Sequence, residues 1–331
     1  MAASERGAPR PARPSRALLL AAYAAVYVIW GSTYLAIRVG LGTLPPFLMA
    51  GVRFALAGLA LAGWALARGA PRPTPRQWRA AAVVGALLLL CGNGGVTWAE
   101  QQQVPSGVAA LLIATEPLWI VLLGWLRPGG TRPTARQWAG LALGLAGVAV
   151  LVGPGALHAG PASGLRLVPA LAVVASALTW AAGSVWRGRE ALPASAPLAT
   201  GMQMLAGGAL LLAASAAAGE WRRFDPAAVS AGSLLALGYL VVFGSLVAFS
   251  AYAWLLTVEP PARASTYAFV NPVVAVLLGW AAAGESLGAQ VVVAAALTVG
   301  AVVLITRPAA AREPAVAAPP RGRARPDRLA A

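Results

Sequence analysis

Long apolar runs separated by short polar segments make up most of the chain. Each run holds about 18–25 residues, the length that an α-helix needs to cross a bilayer. Ten such runs predict an all-α polytopic membrane protein with ten transmembrane helices. The runs cover residues 17–40, 46–67, 79–99, 104–126, 137–154, 167–186, 197–218, 230–255, 262–282 and 287–306.

One of these runs has a copy 155 residues further along the chain. The stretch Val104–Trp125 ends in the letters VLLGW, and the same letters occupy residues 276–280. Trp30 and Trp180 correspond more loosely. The other matching positions are Pro105 with Pro260, Ala109 with Ala264, and Pro117 with Pro272. A shared motif at a fixed distance from an intrahelical proline indicates a duplicated chain.

The duplication divides the chain into two repeats of five helices. The first is predicted at residues 17–154 and the second at 167–306, with an outer loop at 155–166. Because five is odd, the second repeat must cross the membrane in the opposite sense to the first. Inverted repeats are typical of secondary transporters, which place a substrate site near the bilayer midplane. The Arg-, Pro- and Ala-rich tails, 1–16 and 307–331, are expected to be disordered.

The arginines indicate how the chain lies in the membrane. With ten spans and a cytoplasmic N-terminus, 20 of the 25 arginines fall in cytoplasmic segments. Positive charge concentrates on that side of membrane proteins, so both termini are predicted to be cytoplasmic. Segments 72–78 and 132–138, RPTPRQW and RPTARQW, are interpreted as interfacial anchors at helix starts. The expected location is the cytoplasmic (inner) membrane of a bacterium, with multiple spans.

Composition excludes several classes of protein. The chain is 59% hydrophobic and 11% charged, whereas soluble domains average about 25% charged residues. The net charge of +15 does not indicate nucleic-acid binding, because the arginines lie between apolar runs and in the tails. A single cysteine, Cys91, excludes an intrachain disulfide, and a single histidine, His158, disfavours a His-rich metal site. We expect no cofactor and no metal.

An intramembrane enzyme is the main alternative from another class. The chain contains no HExxH, GxSxG or P-loop motif, and it has no lysine for a Ser–Lys pair. Catalysis and nucleotide hydrolysis by this chain are therefore disfavoured. A membrane channel or a non-transport membrane scaffold stays open as an alternative, because neither function forbids an inverted duplication.

Several stretches are similar to one family of transporters. They are VIWGSTYLAIRVG (28–40), LPPFLMAGVRFALAG (44–58), VPSGVAALLIATEP (104–117), and SAYAWLLTVEPPARASTYAFVNPVVAVLLGW (250–280) with Gly284 and Glu285 after it. They resemble the EamA family of the drug/metabolite transporter (DMT) superfamily, and within it YedA-type inner-membrane permeases. The resemblance spans about residues 19–306. It implies two inverted five-helix EamA repeats and an exporter of small metabolites or drugs.

The chain departs from the family pattern at one place. Many members carry a glutamate after the fourth helix, matching Glu285 after the ninth. Here the corresponding region reads RPGG at 127–130. A role that requires acidic residues in both repeats is therefore not supported. Glu285 itself is expected to cap the tenth helix.

Glu116 is the strongest candidate for chemistry inside the membrane. A carboxylate near the midplane is costly and normally faces the bundle interior or a watery cavity. Its neighbour Pro117 leaves a helix carbonyl free for a polar partner, and Asn271 and Pro272 take the same place in the second repeat. We expect Glu116 to bind a cationic or amino group, or to take up a proton. The alternative is structural, either an ion pair with Arg53 or a cap on the kinked backbone.

The other candidates are aromatic, hydroxyl, amide and arginine side chains within the spans. Each has a plain alternative, because hydroxyls bond to their own backbone, aromatics pack in cores, and arginines form structural ion pairs or snorkel. The third helix becomes progressively polar towards its outer end, through Asn93, Thr97, Glu100 and Gln101, which suits a water-accessible vestibule or an ordinary helix end. The remaining cavity candidates are Trp30, Ser32, Tyr34, Arg53, Asn93, Thr97, Trp180 and Tyr267.

These patterns together predict a secondary transporter that works by alternating access. The predicted cavity lies among helices one, three, four, six, eight and nine. The predicted activity is export of small metabolites, amino acids or drugs across the cytoplasmic membrane. Expected partners are a small-molecule substrate, the lipid bilayer and protons as a coupling ion, and the chain is expected to act as a monomer or a homodimer.

Overall fold

The fold is a bundle of helices. The computed structural model describes residues 15–127, 129–130, 132–152, 166–186, 192–259, 261–264 and 266–306, and this part of the chain contains no strand. Its long helices are α1 (Arg16–Gly40), α2 (Pro46–Ala67), α3 (Pro75–Gln101), α4 (Ser106–Trp125), α5 (Ala135–Val152), α6 (Leu167–Trp186), α7 (Ala196–Ala217), α8 (Ala231–Val258), α9 (Tyr267–Ala283) and α10 (Ala289–Thr306).

The predicted all-helical membrane architecture is confirmed. Seven helices in the described part of the chain, α1 to α4 and α6 to α8, are long and apolar enough to cross a bilayer. Within α9 and α10, the apolar stretches Val270–Ala283 and Ala289–Ile305 are shorter. The count of ten spans therefore stays a prediction.

Some sequence predictions fall outside the described residues. The predicted tails do so apart from Ser15 and Arg16, and Ser15 Oγ accepts a hydrogen bond from the Leu18 amide, 3.2 Å away, at the start of α1. The predicted outer loop does so apart from Arg166, and His158 and Pro260 also lie outside the described residues. The disorder predicted for the tails stays a prediction.

The two similar RPT segments begin helices through capping boxes. Thr74 Oγ1 accepts from the Gln77 amide at 3.3 Å, and Gln77 Oε1 accepts from the Thr74 amide at 2.8 Å. Thr134 and Gln137 repeat this arrangement at the start of α5, with the same two distances. Each box satisfies helix amides that would otherwise lack partners. The shared Thr and Gln of these segments therefore cap the starts of α3 and α5, in addition to the predicted anchoring.

The two halves of the bundle pack as counterparts. Helix α2 lies against α7, and α5 lies against α10. Helix α1 contacts α8 and α9, and its counterpart α6 contacts α3 and α4. Exchanging each helix with the one five places later leaves this set of contacts unchanged. That is the pattern expected when a twofold axis relates the two halves.

Glycines let α2 and α7 approach closely. A methyl group at Gly58 would lie 2.7 Å from the Leu205 backbone nitrogen, and one at Gly201 would lie 2.6 Å from the Ala62 backbone nitrogen. Inside a membrane, close backbone approach replaces much of the hydrophobic driving force available in water. These glycines are therefore structural.

Several helices are interrupted partway along their length. Helix α4 consists of Ser106–Ile113 and Glu116–Trp125, with Pro117 in the first turn of the second part. Wider π-helical turns occupy Ala25–Ile29 of α1, Ala86–Gly94 of α3 and Leu240–Phe249 of α8. Such turns free backbone groups for other partners and are often found at functional sites.

Replacing Gly58 with leucine should destabilise the bundle, because the side chain would collide with the backbone of α7. Overpacking typically costs about 1–3 kcal/mol. Gly63→Leu is the matched control, since Gly63 lies on the same helix and a methyl group there would have no atom within 4 Å. Thermal unfolding in detergent should show a lower midpoint for Gly58→Leu only, and equal midpoints would contradict the packing described.

Candidate functional site

A small cavity lies at the centre of the bundle, beside the helix interruptions. Its volume is about 60 Å³. That is enough for ordered water but far below the roughly 300–1,000 Å³ of typical ligand pockets. A metabolite could occupy it only if the helices moved apart. The lining residues are Trp30, Thr33, Tyr34, Ile37, Arg53, Phe54, Gly92, Asn93, Val96, Ile113, Trp180, Phe249, Tyr267 and Asn271.

The cavity brings together seven of the candidates predicted from the sequence. Its wall includes α2 in addition to the six helices predicted, because Arg53 and Phe54 project from α2 into it. Hydrophobic lining residues such as Phe249 were missed, since an apolar residue in an apolar run carries no signal of its own. The seven candidates are Trp30, Tyr34, Arg53, Asn93, Trp180, Tyr267 and Asn271. Their role in transport stays a prediction.

Aromatic rings form one side of the cavity. The ring of Trp30 meets that of Trp180 edge to face, with centroids 5.6 Å apart and planes at 85°. It also contacts Tyr252 at 4.9 Å and Tyr267 at 5.1 Å. Such tilted and edge-on arrangements are the favoured geometries of aromatic pairs. The two tryptophans that correspond in the repeats therefore meet at the centre of the molecule.

The two tryptophans differ in their hydrogen bonds. Trp30 Nε1 donates to the Gly244 carbonyl of the π-helical turn in α8, at 3.1 Å. Trp180 Nε1 is buried and has no hydrogen-bond partner among the described residues, and the same is true of Asn93 Oδ1. Buried polar atoms are nearly always paired in folded proteins. Two residues of the cavity wall thus each carry a buried polar atom, one a donor and one an acceptor, that has no hydrogen-bond partner among the described residues.

Arg53 places a cation in the cavity wall. Its side chain is 4% exposed, and its Nε donates to Ser245 Oγ at 2.8 Å. Its guanidinium carbon lies 4.7 Å from the centre of the Phe54 ring. The salt bridges in the described part of the chain, Arg38 with Glu285 and Arg263 with Glu259, do not involve Arg53. A buried cation held by a hydroxyl and a ring retains capacity to bind an anionic group.

Glu116 lies behind the cavity wall and does not line it. It is 0% exposed and begins the second part of α4. The Tyr267 hydroxyl donates to Glu116 Oε2, while Oε1 has no partner among the described residues. The ion pair with Arg53, considered as a structural alternative, is not formed. Glu116 is therefore connected to the cavity by its hydrogen bond with Tyr267, which lines the wall.

Two hydroxyl candidates bond to nearby backbone. Ser32 Oγ donates to the Ile29 carbonyl at 2.7 Å and lies 2.6 Å from the Tyr239 hydroxyl, which joins α1 to α8. Thr97 Oγ1 donates to the Asn93 carbonyl at 2.9 Å. Neither lines the cavity, which matches the structural alternative for such residues.

The two prolines and Asn271 shape the backbone around the site. Pro117 is buried in the first turn after the α4 interruption, and Pro272 is buried inside α9; neither lines the cavity. Oriented to satisfy its neighbours, the Asn271 amide nitrogen donates to the backbone oxygens of Tyr27, at 2.9 Å, and Tyr267, at 3.3 Å. Asn271 thus ties α9 to α1.

Glu285 caps a different helix from the one predicted. Its Oε1 accepts hydrogen bonds from the Ser106 amide at 2.8 Å and the Ser106 hydroxyl at 2.7 Å, and its Oε2 accepts from the Gly107 amide at 3.1 Å. Glu285 Oε1 also lies 3.3 Å from Arg38 Nη1. The prediction that it caps the tenth helix was wrong, because these contacts place it on the first turn of α4, where amides lack helical partners.

The described residues offer little for a metal. No group of three or more His, Cys, Asp or Glu side chains that could hold an ion occurs in this part of the chain. The groups available at the cavity are therefore aromatic rings, the Arg53 guanidinium and the side-chain amides of Asn93 and Asn271. The Glu116 carboxyl group lies behind them, in contact with the lining residue Tyr267.

Replacing Gly244 with alanine should disturb Arg53. The new methyl group would lie 2.8 Å from Arg53 Nη2 and 3.1 Å from Thr33 Cγ2. Gly238→Ala, on the same helix with nothing within 4 Å, is the control. Only Gly244→Ala should lower the thermal midpoint. Adding Arg53→Met should remove part of that loss, a coupling of about 1 kcal/mol, and full additivity of the two changes would contradict the contact.

Both halves of the chain are similar to known proteins. A model of the EamA-like transporter family matches residues 15–153 and again residues 167–307. The chain is 43% identical to the uncharacterized inner membrane transporter YedA of Escherichia coli (strain K12) over 288 residues, which cover 87% of this chain and 90% of that protein.

Two further likenesses extend the comparison. A probable terminal-alkyne amino-acid exporter of Streptantibioticus cattleyicolor is 29% identical over 280 residues, covering 85% of this chain and 90% of its own. A solved crystal structure matches with a TM-score of 0.62 and 25% identity, covering 88% of this chain and 98% of that one. With seven span-length apolar helices and two matched repeats, the chain belongs to the EamA-like transporter family and is a membrane transporter.

Proposed function

We propose that this chain is a secondary transporter that exports small polar metabolites, amino acids among them, by alternating access. The observation that carries the proposal is the central cavity. Both halves contribute to its wall, and two of its lining residues carry buried polar atoms without partners among the described residues, the donor Trp180 Nε1 and the acceptor Asn93 Oδ1. A substrate that reached both atoms when the helices moved apart would supply the missing hydrogen bonds.

The proposed mechanism uses the correspondence between the two halves. In the proposal the bundle has ten spans, the halves are inverted, and both termini are cytoplasmic. Helices α1 and α6 then exchange environments as the molecule passes between inward-open and outward-open states. The small cavity volume supports a closed intermediate between them. The cavity is enclosed within one chain, so a monomer suffices.

The substrate class is proposed from the chemistry of the wall. Arg53 suits a carboxylate, the aromatic rings suit an apolar body, and the unpartnered donor and acceptor suit additional polar groups. An amino acid combines these features. Export, as opposed to uptake, is supported by the name of the exporter from Streptantibioticus cattleyicolor, and protons are the proposed coupling ion.

Membrane topology gives one test. In a Cys91→Ala background, single cysteines at Arg72 and Ala318 should resist a membrane-impermeant thiol reagent applied to intact cells, since both positions are cytoplasmic in the proposal. A cysteine at Gln103, which is exposed at the opposite end of α3, is the positive control. Reaction at position 72 or 318 would overturn the cytoplasmic assignment of the termini.

The role of Glu116 gives a second test. Glu116→Gln keeps the shape of the side chain but removes its ability to take up and release a proton, so a transport step that needs the carboxyl group should slow. The expected loss is about tenfold or more, since a hydrogen bond to a charged group contributes about 1.5–3 kcal/mol in the state where Glu116 is ionised. Flux of radiolabelled neutral amino acids, nucleosides and small cationic drugs is measured in proteoliposomes, with and without a pH gradient.

Glu259→Gln is the matched control for that substitution. It makes the same chemical change at a carboxylate whose partner is the exposed Arg263. Both proteins are first shown to unfold at the wild-type temperature. If Glu116→Gln kept the wild-type rate and the wild-type pH dependence, Glu116 would have no part in transport.

A further inference from the structure

One buried carboxyl group, that of Glu100, neither lines the central cavity nor takes part in the proposed transport mechanism. The connections 41–45, 102–105, 218–230 and 284–288 lie at one end of the bundle, here termed the short-loop end. Glu100 lies one residue before the end of α3 at this end, and it is 4% exposed. Both of its carboxylate oxygens lack a hydrogen-bond partner among the described residues.

An ionised carboxylate in this position would be expensive. Removing a charge from water costs several kcal/mol unless a counter-ion and hydrogen bonds replace the lost hydration. Neither salt bridge in the described part of the chain includes Glu100. A neutral carboxylic acid has a far smaller cost of burial. The surroundings therefore favour the protonated form of Glu100.

The charged groups that act on Glu100 come from two other segments. They are Glu285, in the connection between α9 and α10, and Arg38, near the end of α1. Arg38 is engaged by Glu285, at 3.3 Å. The phenol of Tyr34, on α1, interacts electrostatically with both Glu100 and Glu116. Two carboxylates thus share one nearby guanidinium.

The other neighbouring helices add no competing charge. Helix α6, which packs against the end of α3, has no ionisable side chain between residues 167 and 186. Arg166, directly before α6, donates to Gln102 Oε1 at 3.4 Å and forms no salt bridge with Glu100. Helix α2 has only Arg53, which donates to Ser245 beside the cavity. The first turn of α4 presents the amides of Ser106 and Gly107, and both donate to Glu285.

We propose that Glu100 is a proton-binding site that controls the attachment of α4 at the short-loop end. In the conformation described here Glu100 carries the proton and Arg38 pairs with Glu285. When the proton leaves to water, the new carboxylate draws Arg38 away from Glu285. A cavity of about 170 Å³ lies beside the Arg38–Glu285 pair and has room for water. Glu100 does not line it, so the proton reaches this water only when Arg38 moves.

The consequence would reach the substrate cavity through α4. Glu285 holds the first turn of α4, and the same helix carries Ile113 to the cavity wall and Glu116 to Tyr267. A Glu285 side chain without its arginine would hold that turn less firmly. Coupling of this proton to substrate movement rests on the proposed transport function, whereas the proton site itself does not.

Infrared spectroscopy tests the proton site directly. The full-length protein is reconstituted in lipid vesicles at neutral pH, and wild type is compared with Glu100→Gln. The difference spectrum should show the loss of a protonated carboxyl C=O band that shifts when the wild type is labelled with ¹³C-glutamate. Glu259→Gln, which removes an ion-paired carboxylate, should lose carboxylate bands only.

Other outcomes of this experiment would overturn the proposal. If Glu100→Gln lost only carboxylate bands, Glu100 would be ionised and the proton site would be absent. A carboxyl band that disappeared on adding sodium at constant pH would make the site one for a metal cation instead. Should Glu100→Gln fail to fold, Glu100→Asp serves in its place, because the carboxyl band should then keep its intensity and lose the ¹³C-glutamate shift.

A companion measurement separates this proposal from the proposed function. The infrared result does not depend on any substrate being moved, so protein that transports no tested compound can still show the Glu100 proton. Where flux is measurable, Glu100→Gln should reduce its dependence on pH at least severalfold, and Glu259→Gln should leave it unchanged. Full pH dependence in Glu100→Gln would overturn the coupling to α4.

Discussion

The structure depends on one constraint, which is that polar side chains inside the bundle must find their partners within the protein. The bilayer offers no water to replace a missing hydrogen bond. Several of these partners are found across the boundary between the two halves. Trp30 reaches the Gly244 carbonyl, Arg53 reaches Ser245, and Tyr267 reaches Glu116. These cross-links surround the central cavity, so the contacts that join the halves also form the candidate site.

Some of the buried polar atoms that break this rule lie at the two proposed sites. Trp180 Nε1 and Asn93 Oδ1, on residues that line the cavity, have no partners among the described residues, and both Glu100 oxygens lack them near the end of α3. The first pair suits a substrate and the last suits a proton. The halves are alike in packing but unlike in chemistry, since Trp30 is satisfied whereas its counterpart Trp180 is not.

The apolar pattern predicted much of the fold. Helices α2 and α6 span the residues of their predicted runs, 46–67 and 167–186, whereas α3 extends beyond its run, 79–99, to Pro75–Gln101 because a capping box begins it. The two RPT segments carried a capping-box signal that was interpreted only as interfacial anchoring. Seven predicted candidates reached the cavity, since polar and aromatic residues in apolar runs are placed there at a cost.

The remaining contacts could not be read from the sequence. Glu285 was expected to act on the helix that follows it, but its partners lie 178 and 179 residues earlier in the chain, at the first turn of α4. Arg53 and Glu116 were considered a possible ion pair, but the fold gives each a different partner. Only the three-dimensional arrangement shows which of several available polar groups is nearest.

Trans-acceleration in proteoliposomes is the measurement that tests alternating access most directly. Vesicles are loaded with unlabelled neutral amino acids or left empty, and the initial uptake of the radiolabelled compounds is compared. A carrier whose cavity faces one side at a time returns faster when loaded, so preloading should raise the initial rate several-fold, with saturation at high concentration. Uptake that neither saturates nor responds to preloading would identify a channel and would contradict the account.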